Sequence, residues 1–311
     1  MARNLVVLDP NSLLGRELVP LLAASFPDLQ RRYMHTRGLD DYLLLELEGN
    51  ATVVPPLGDL EELAGAAVVF ITEPPASTLK KPLAEFFATH PQLPCLDLSS
   101  SEVLPANLGT AFTPTRPQIR LPDPVLLLPT MILQALGTFL PKRAFFSCLV
   151  PVSTHGEEAL EELAAQAAAR LSGDKPKTRL LPAVLAFDAI FYHQGQNFEE
   201  QLQKLFPQTQ VQLHPIAAGI FHAHAVFASA EVDKPATLQK LRQLFSNHGF
   251  VFHRGKAPLA PSLGAGRPQV KLEVVKLESH YLALWAVGDH LLMQAQAACN
   301  ALATLLARVR E

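Results

Sequence analysis

The sequence is short of cysteine, of charge and of long apolar runs, and each shortage removes a class of protein. Three cysteines, Cys95, Cys148 and Cys299, stand far apart. They fit no zinc-ligand spacing, so no metal is expected, and so low a count suits a reducing, cytoplasmic setting rather than a disulfide-stapled one. Lys plus Arg number 26 against 29 Asp plus Glu, a formal charge of −3. With no basic stripe or patch, neither nucleic acid nor a membrane surface is an expected partner. No apolar run reaches the roughly 20 residues of a spanning helix. Met1-Ala2-Arg3-Asn4-Leu5 runs directly into a strand pattern, so no secretory leader is expected. Glycine is also thin where it would matter most. In Asp9-Pro10-Asn11-Ser12-Leu13-Leu14-Gly15, a dinucleotide loop would place glycines near Asp9 and Ser12 as well as at Gly15. The turn is either a degenerate phosphate loop, with a carboxylate beside the phosphate, or a plain βα turn that holds no cofactor.

What is present is apolar and periodic. Over 311 residues the chain is 49% hydrophobic, enough to build two cores of ordinary size. In the first part, short apolar runs at Leu5–Leu8, Ala66–Ile71 and Leu93–Leu98 alternate with helical patterns. Those patterns run from Gly15 to near Pro27, around Leu57–Leu63 and over Leu79–Thr89. Alternation of this kind predicts a parallel α/β sheet. Asp97-Leu98-Ser99-Ser100-Ser101 closes one strand at its carboxyl end, where such sheets bind ligands; the same hydroxyls could simply cap a turn. Residues 104–124 carry Pro105, Pro114, Pro117, Pro122 and Pro124 and read as the connection to a second domain.

That domain opens on Val125-Leu126-Leu127-Leu128-Pro129-Thr130-Met131. Leu128 precedes a proline, which disfavours helix, and Pro129 suits a first helical turn. The stretch predicts a buried strand over 125–128, with Thr130 and Met131 near the start of a helix. A helix start favours a nucleophile, but a thioether cannot be one. Further helices are expected at Ile132–Leu140, Glu157–Leu171, Ala236–His248 and Leu291–Val309. Strands are expected at Ala144–Val152, Val184–Ile190, Val211–Leu213, Gly219–Glu231, Val270–Leu277 and Tyr281–Val287. Alternation in Gly219–Glu231 places His222, His224, Val226 and Ala228 on one face. Two histidines so spaced could meet a metal, but no third ligand is identifiable.

Taken in order, the segments resemble the aspartate-semialdehyde dehydrogenase family, in character closest to its Usg-type, catalytically degenerate offshoot. The resemblance rests on Gly15-Arg16-Glu17, on Asp97 with Ser99-Ser100, and on Ser147, Val152, Ser153, Gly156 and Glu158 followed by Glu161-Glu162-Leu163. It continues through Ala186-Phe187-Asp188, through His222 with Ala225-Val226, and through Leu284-Trp285-Ala286-Val287-Gly288-Asp289, similar to a family "LWVVADN". It implies an NADP-dependent oxidoreductase of amino-acid biosynthesis that forms a thioester on a cysteine positioned by a glutamine, with a histidine base and a substrate-holding arginine.

Carried over by position, that machinery is largely gone. The nucleophile position is Met131, the glutamine position Val150, the substrate arginine Pro215 and a phosphate-binding arginine Val103; only His222 matches its role. Cofactor positions fall on Asp9, Asn11, Ser12, Leu13, Gly15, Ser99 and Ser100. Cys148 shares a strand face with Val150 and is either a substitute nucleophile or a buried, inert thiol.

The expectation is therefore an α/β protein with a Rossmann-like, degenerate NAD(P)-binding domain at 1–128, onto which 289–311 returns. An α+β catalytic-like dimerisation domain follows at 129–288. It is expected to be a pseudoenzyme with a binding or assembly role, homodimeric and without cofactor. A small molecule could occupy a residual cleft near Asp97, Ser99, Thr130 and His222. The alternatives are an active NAD(P)-dependent semialdehyde oxidoreductase with rearranged residues, and a structural subunit of a genuine dehydrogenase.

Overall fold

The computed structural model describes residues 4–37, 41–99, 101, 103–104, 117–191 and 197–308. The chain forms two compact units, Met1–Asp123 with Leu291–Glu311, and Pro124–His290.

In the first unit the strands β1 (Asn4–Leu8), β2 (Gln30–Met34), β5 (Val68–Ile71), β6 (Cys95–Asp97) and β7 (Gln118–Arg120) form one parallel sheet, ordered β2-β1-β5-β6-β7. A separate antiparallel hairpin pairs β3 (Leu43–Leu47) with β4 (Asn50–Val54). Helices α1 (Leu13–Ser25) and α2 (Ser77–Thr89) complete this part. Strand β1 shows why its run is unbroken. Leu5 and Val7 enter the core shared with α1 and the C-terminal helix, while Val6 and Leu8 enter the core shared with α2. Both faces of a parallel sheet are covered, so alternation vanishes. Each such side chain contributes about 1.5–3 kcal/mol.

Strand β2, Gln30-Arg31-Arg32-Tyr33-Met34, is an addition to the sequence reading. It lies at the sheet edge, which tolerates Arg31 and Arg32. Arg31 forks onto Glu48 at 2.7 and 2.8 Å, and the Tyr33 hydroxyl also bonds Glu48. Glu48 and Gly49 form the hairpin turn with φ of 54° and 76°, the primed geometry that matches strand twist.

The second unit opens with α3 (Pro124–Leu136). There follow β8 (Pro141–Val150), α4 (Glu157–Ser172), β9 (Ala189–Phe191), α5 (Phe198–Leu205), β10 (Gln210–Ala218), β11 (His224–Val232), α6 (Leu238–Asn247), β12 (Phe250–Phe252), β13 (Val270–Leu277) and β14 (Tyr281–Gly288). The strands make a mixed seven-stranded sheet ordered β12-β13-β14-β11-β8-β10-β9. The last helix, α7 (His290–Arg308), begins in this unit and sends Leu291, Ala295, Ala298, Cys299, Ala301 and Leu302 into the first unit's core.

Residues 125–128 correct the sequence reading. They are helical, not a strand. Pro124, not Pro129, is the first helical residue. Ten of the thirteen residues are buried, and a helix apolar on every side gives no 3.6-residue signature to separate it from a buried strand. Pro129 stands inside α3 as Pro20 does in α1 and Pro82 in α2. These three prolines do not mark helix boundaries. The loss of one ladder bond is offset by dense packing of Leu126, Leu128, Ile132 and Leu133.

One long connection in this unit is held against α4 by Glu162, which accepts from the Arg179 and Leu180 N–H groups, and by the buried Gln166. Gln166 of α4 accepts from the Leu185 and Ala186 N–H groups at 2.9 and 3.4 Å and lies within 3.4 Å of the Lys177 and Ala183 carbonyls. Gln166→Leu strands these backbone groups and is expected to cost about 1–3 kcal/mol. Urea unfolding followed by the fluorescence of Trp285, the one tryptophan, checks this.

Candidate functional site

The βα turn of the first unit is closed by its own side chains. Asp9 is buried at φ 58°. Its carboxylate accepts from the Thr36 N–H at 2.8 Å and the Thr36 hydroxyl at 2.5 Å. Burial raises its pKa, and the Thr36 bonds oppose the rise. Ser12 caps α1 by accepting from Gly15 N–H at 2.9 Å, and its hydroxyl lies 2.8 Å from that of Thr72. Thr72 Oγ1 in turn lies 2.7 Å from the Asp9 carbonyl. Gly15 has a packing role: a Cβ there would come within 2.6 Å of the Asp9 and Pro10 carbonyl oxygens. Leu13 opens α1, half-buried, and the Asn11 carbonyl accepts from Arg16 Nε at 3.0 Å.

At the carboxyl end of β6, Asp97 is fully buried and accepts from Ser99 N–H at 3.0 Å. Ser99 Oγ lies 2.6 Å from both Asp97 Oδ1 and Ser101 Oγ. The hydroxyls thus satisfy one another and the strand end. Ser100 lies outside the described residues. Val103 is buried in the core beside α2.

In the second unit Met131 is the eighth residue of α3, well past the first turn where the helix dipole acts. This corrects its expected place at a helix start, and Thr130 beside it is buried. Cys148 is fully buried in β8, with Val226 and Pro215 opposite it, and burial alone drives its thiol far above the ordinary range. A thiol so held stays protonated and is a poor nucleophile. Val150 is buried in the same strand and pairs Ala217.

The histidines are not arranged as alternation suggested. His222 precedes β11 in a bend, Ala223 takes φ 71°, and His224 begins the strand fully buried. The left-handed residue between them breaks the shared face. Among the described residues no three His, Cys, Asp or Glu side chains converge to hold a metal ion. Instead, His224 stacks on His290, centroids 4.8 Å apart. Sequence reasoning missed His290, although a signal existed: it stands where the resembled "LWVVADN" has its asparagine.

The bend that carries His222 is fixed from below. Gly219 N–H donates to the Asp188 carbonyl at 3.0 Å, and Asp188 N–H to the Leu185 carbonyl at 2.9 Å. The Ala186-Phe187-Asp188 segment is therefore a clamp, with Phe187 at φ 63°.

The sequence model of the semialdehyde dehydrogenase dimerisation domain matches residues 132–293. The chain belongs to that family. Among curated relatives of this semialdehyde dehydrogenase family, an aspartate-semialdehyde dehydrogenase of Shewanella violacea is 26% identical over 158 residues. That match covers 45% of this chain and 47% of the relative, about half of its length. The family likeness in fold extends further. Aspartate semialdehyde dehydrogenase II of Vibrio cholerae, complexed with ASA, superposes with a TM-score of 0.81 at 18% identity over 99% of both chains. A probable aspartate-semialdehyde dehydrogenase of Pseudomonas aeruginosa gives 0.80 at 17% identity over 98% of this chain and 99% of that one. At such identity the likeness carries the fold, a mixed α/β architecture, and leaves the chemistry to the side chains.

Proposed function

We propose that the protein is a non-catalytic member of the semialdehyde dehydrogenase family, acting as a homodimer in a binding or assembly role. The carrying observation is the absence of an available thiolate: Met131 is a thioether inside α3, and Cys148 is a sealed thiol. A thioester cannot form on either. The fit to a nicotinamide dinucleotide is also poor. Asp9 has taken both Thr36 donors and presents a carboxylate where polyphosphate would approach.

The sheet of the second unit supports dimer formation. Residues of α3, α5 and α6 pack on one of its faces. On the other, Phe145, Phe191 and Phe227 remain exposed, a cluster that a monomer of ordinary solubility seldom leaves open. The family's domain is a dimerisation domain, and a second copy is the occupant that suits this face.

Purified protein is expected to release no NADPH above background from NADP, aspartate semialdehyde and phosphate. It is also expected to show no heat of NADP or NAD binding at submillimolar concentration. Turnover at ordinary enzyme rates, about 1 s⁻¹ or more, would sink the proposal and favour an active oxidoreductase built on His222. Light scattering after gel filtration is expected to give twice the 33.9 kDa chain mass; a monomer would remove the dimer.

A further inference from the structure

Two buried histidines in the second unit meet each other. His224 opens β11 and His290 opens α7, with 0% and 1% exposure. Their rings stack with an interplanar angle of 19°. None of the four ring nitrogens has a hydrogen bond of ordinary geometry, the Pro124 carbonyl making only a weak approach to His224. Buried polar groups without partners are uncommon and costly, and they ask for an explanation.

Their location supplies one. The chain leaves the first unit at Asp123–Pro124 and returns to it at His290–Leu291. His290 is the last residue before the return. The carbonyl of Pro124, the first residue after the departure, is close enough to His224 to favour a proton there weakly. The stack therefore joins the starts of α3, β11 and α7, all within the second unit.

We propose that the His224–His290 stack is an acid-sensitive latch: neutral, it packs the starts of α3, β11 and α7 together, and on protonation it lets them separate. The groups facing the pair are Asp289, which favours a proton on His290, and His222, which disfavours it. Asp289 also accepts from Gly266 N–H at 2.8 Å. One carboxylate does not balance two imidazolium ions in contact, and charge without a partner is expelled from an apolar site. Burial first, then proximity to His290, holds His224 well below 6.5; burial first holds His290 down at about 4. Folded-state values below the unfolded one mean that the unfolded state binds protons first. The latch is intact above pH 6.5, and its contribution is lost as pH falls from 6.5 toward about 4.

Hydrogen exchange on the full chain tests this, read by mass spectrometry between about pH 7.5 and about pH 5.5 after correction for intrinsic rates. Peptides covering 124–136, 222–226 and 288–296 should lose protection roughly ten-fold per pH unit for each proton taken up on opening. The α4 peptide should not change. The His224→Phe/His290→Phe variant keeps two stacked rings and should flatten the response. Protection that is independent of pH, lost equally in α4, or still pH-dependent in the variant would overturn the latch. Should the variant not fold, NMR of imidazole-labelled wild type decides. Two of the eleven histidines should stay neutral well below pH 6.5 and titrate only with opening; eleven ordinary titrations would exclude it.

Discussion

Gly219→Ala is expected to cost the second unit about 3 kcal/mol or more, a large share of the stability of an ordinary domain. An added Cβ would stand 2.1 Å from the Leu185 carbonyl oxygen and 3.2 Å from the Phe187 nitrogen. Both are backbone atoms, so no rotamer change relieves the clash. Either the 185–188 clamp lifts from the end of β10, or β10 shifts in its pairing with β8. Trp285 donates its indole N–H to the Leu259 carbonyl at 2.7 Å within the same unit, and its fluorescence during urea unfolding reads the loss. Gln166 grips the same segment through the Leu185 N–H. The Gln166→Leu and Gly219→Ala costs should therefore combine to less than their sum, as for residues sharing one element. An unchanged midpoint in Gly219→Ala would mean that the clamp is not seated there.

Leu126→Ala is the second large effect, about 2–5 kcal/mol. Leu126 is wholly buried in α3, and the helix packs on β8, β11, α5 and α6. Truncation leaves a cavity that four neighbouring elements cannot all move to fill. Leu44→Ala is the matched control: it sits 73% exposed on the hairpin, and its removal should stay within about 0.5 kcal/mol. If the two substitutions cost the same, residues 125–128 do not form the core helix.

The contrast between those leucines shows what the sequence could and could not reveal. Elements with a one-sided pattern were legible: β13 falls where Val270–Leu277 alternates, and α4 where Glu157–Leu171 repeats. Of those buried all round, the short runs of β1 and β5 were read as strands, but the first half of α3 was misread as one, because 3.6-residue and two-residue periods look alike when every position is apolar. Strand β2 was hidden by its arginines, and the hairpin by a Glu-Gly turn, which is not one of the strong Asn-Gly or Asp-Gly signals. At the site, the unfit residues Met131 and Asp9 could be read directly, since chemical type needs no coordinates. Burial could not: Cys148 and His224 became inert or sensitive only once their surroundings were known. His222 and His224 were paired by simple alternation, which the left-handed Ala223 breaks.

The path of α7 bears on how the chain is made. The sheet of the first unit emerges early from the ribosome, yet its core stays open until Leu291, Ala295, Ala298 and Leu302 arrive. The second unit has all its strands by Gly288 and can close first. Biosynthesis thus finishes the two units in the reverse of the order in which it begins them. During translation the early half waits with part of its apolar core uncovered, the kind of surface that chaperones exist to cover.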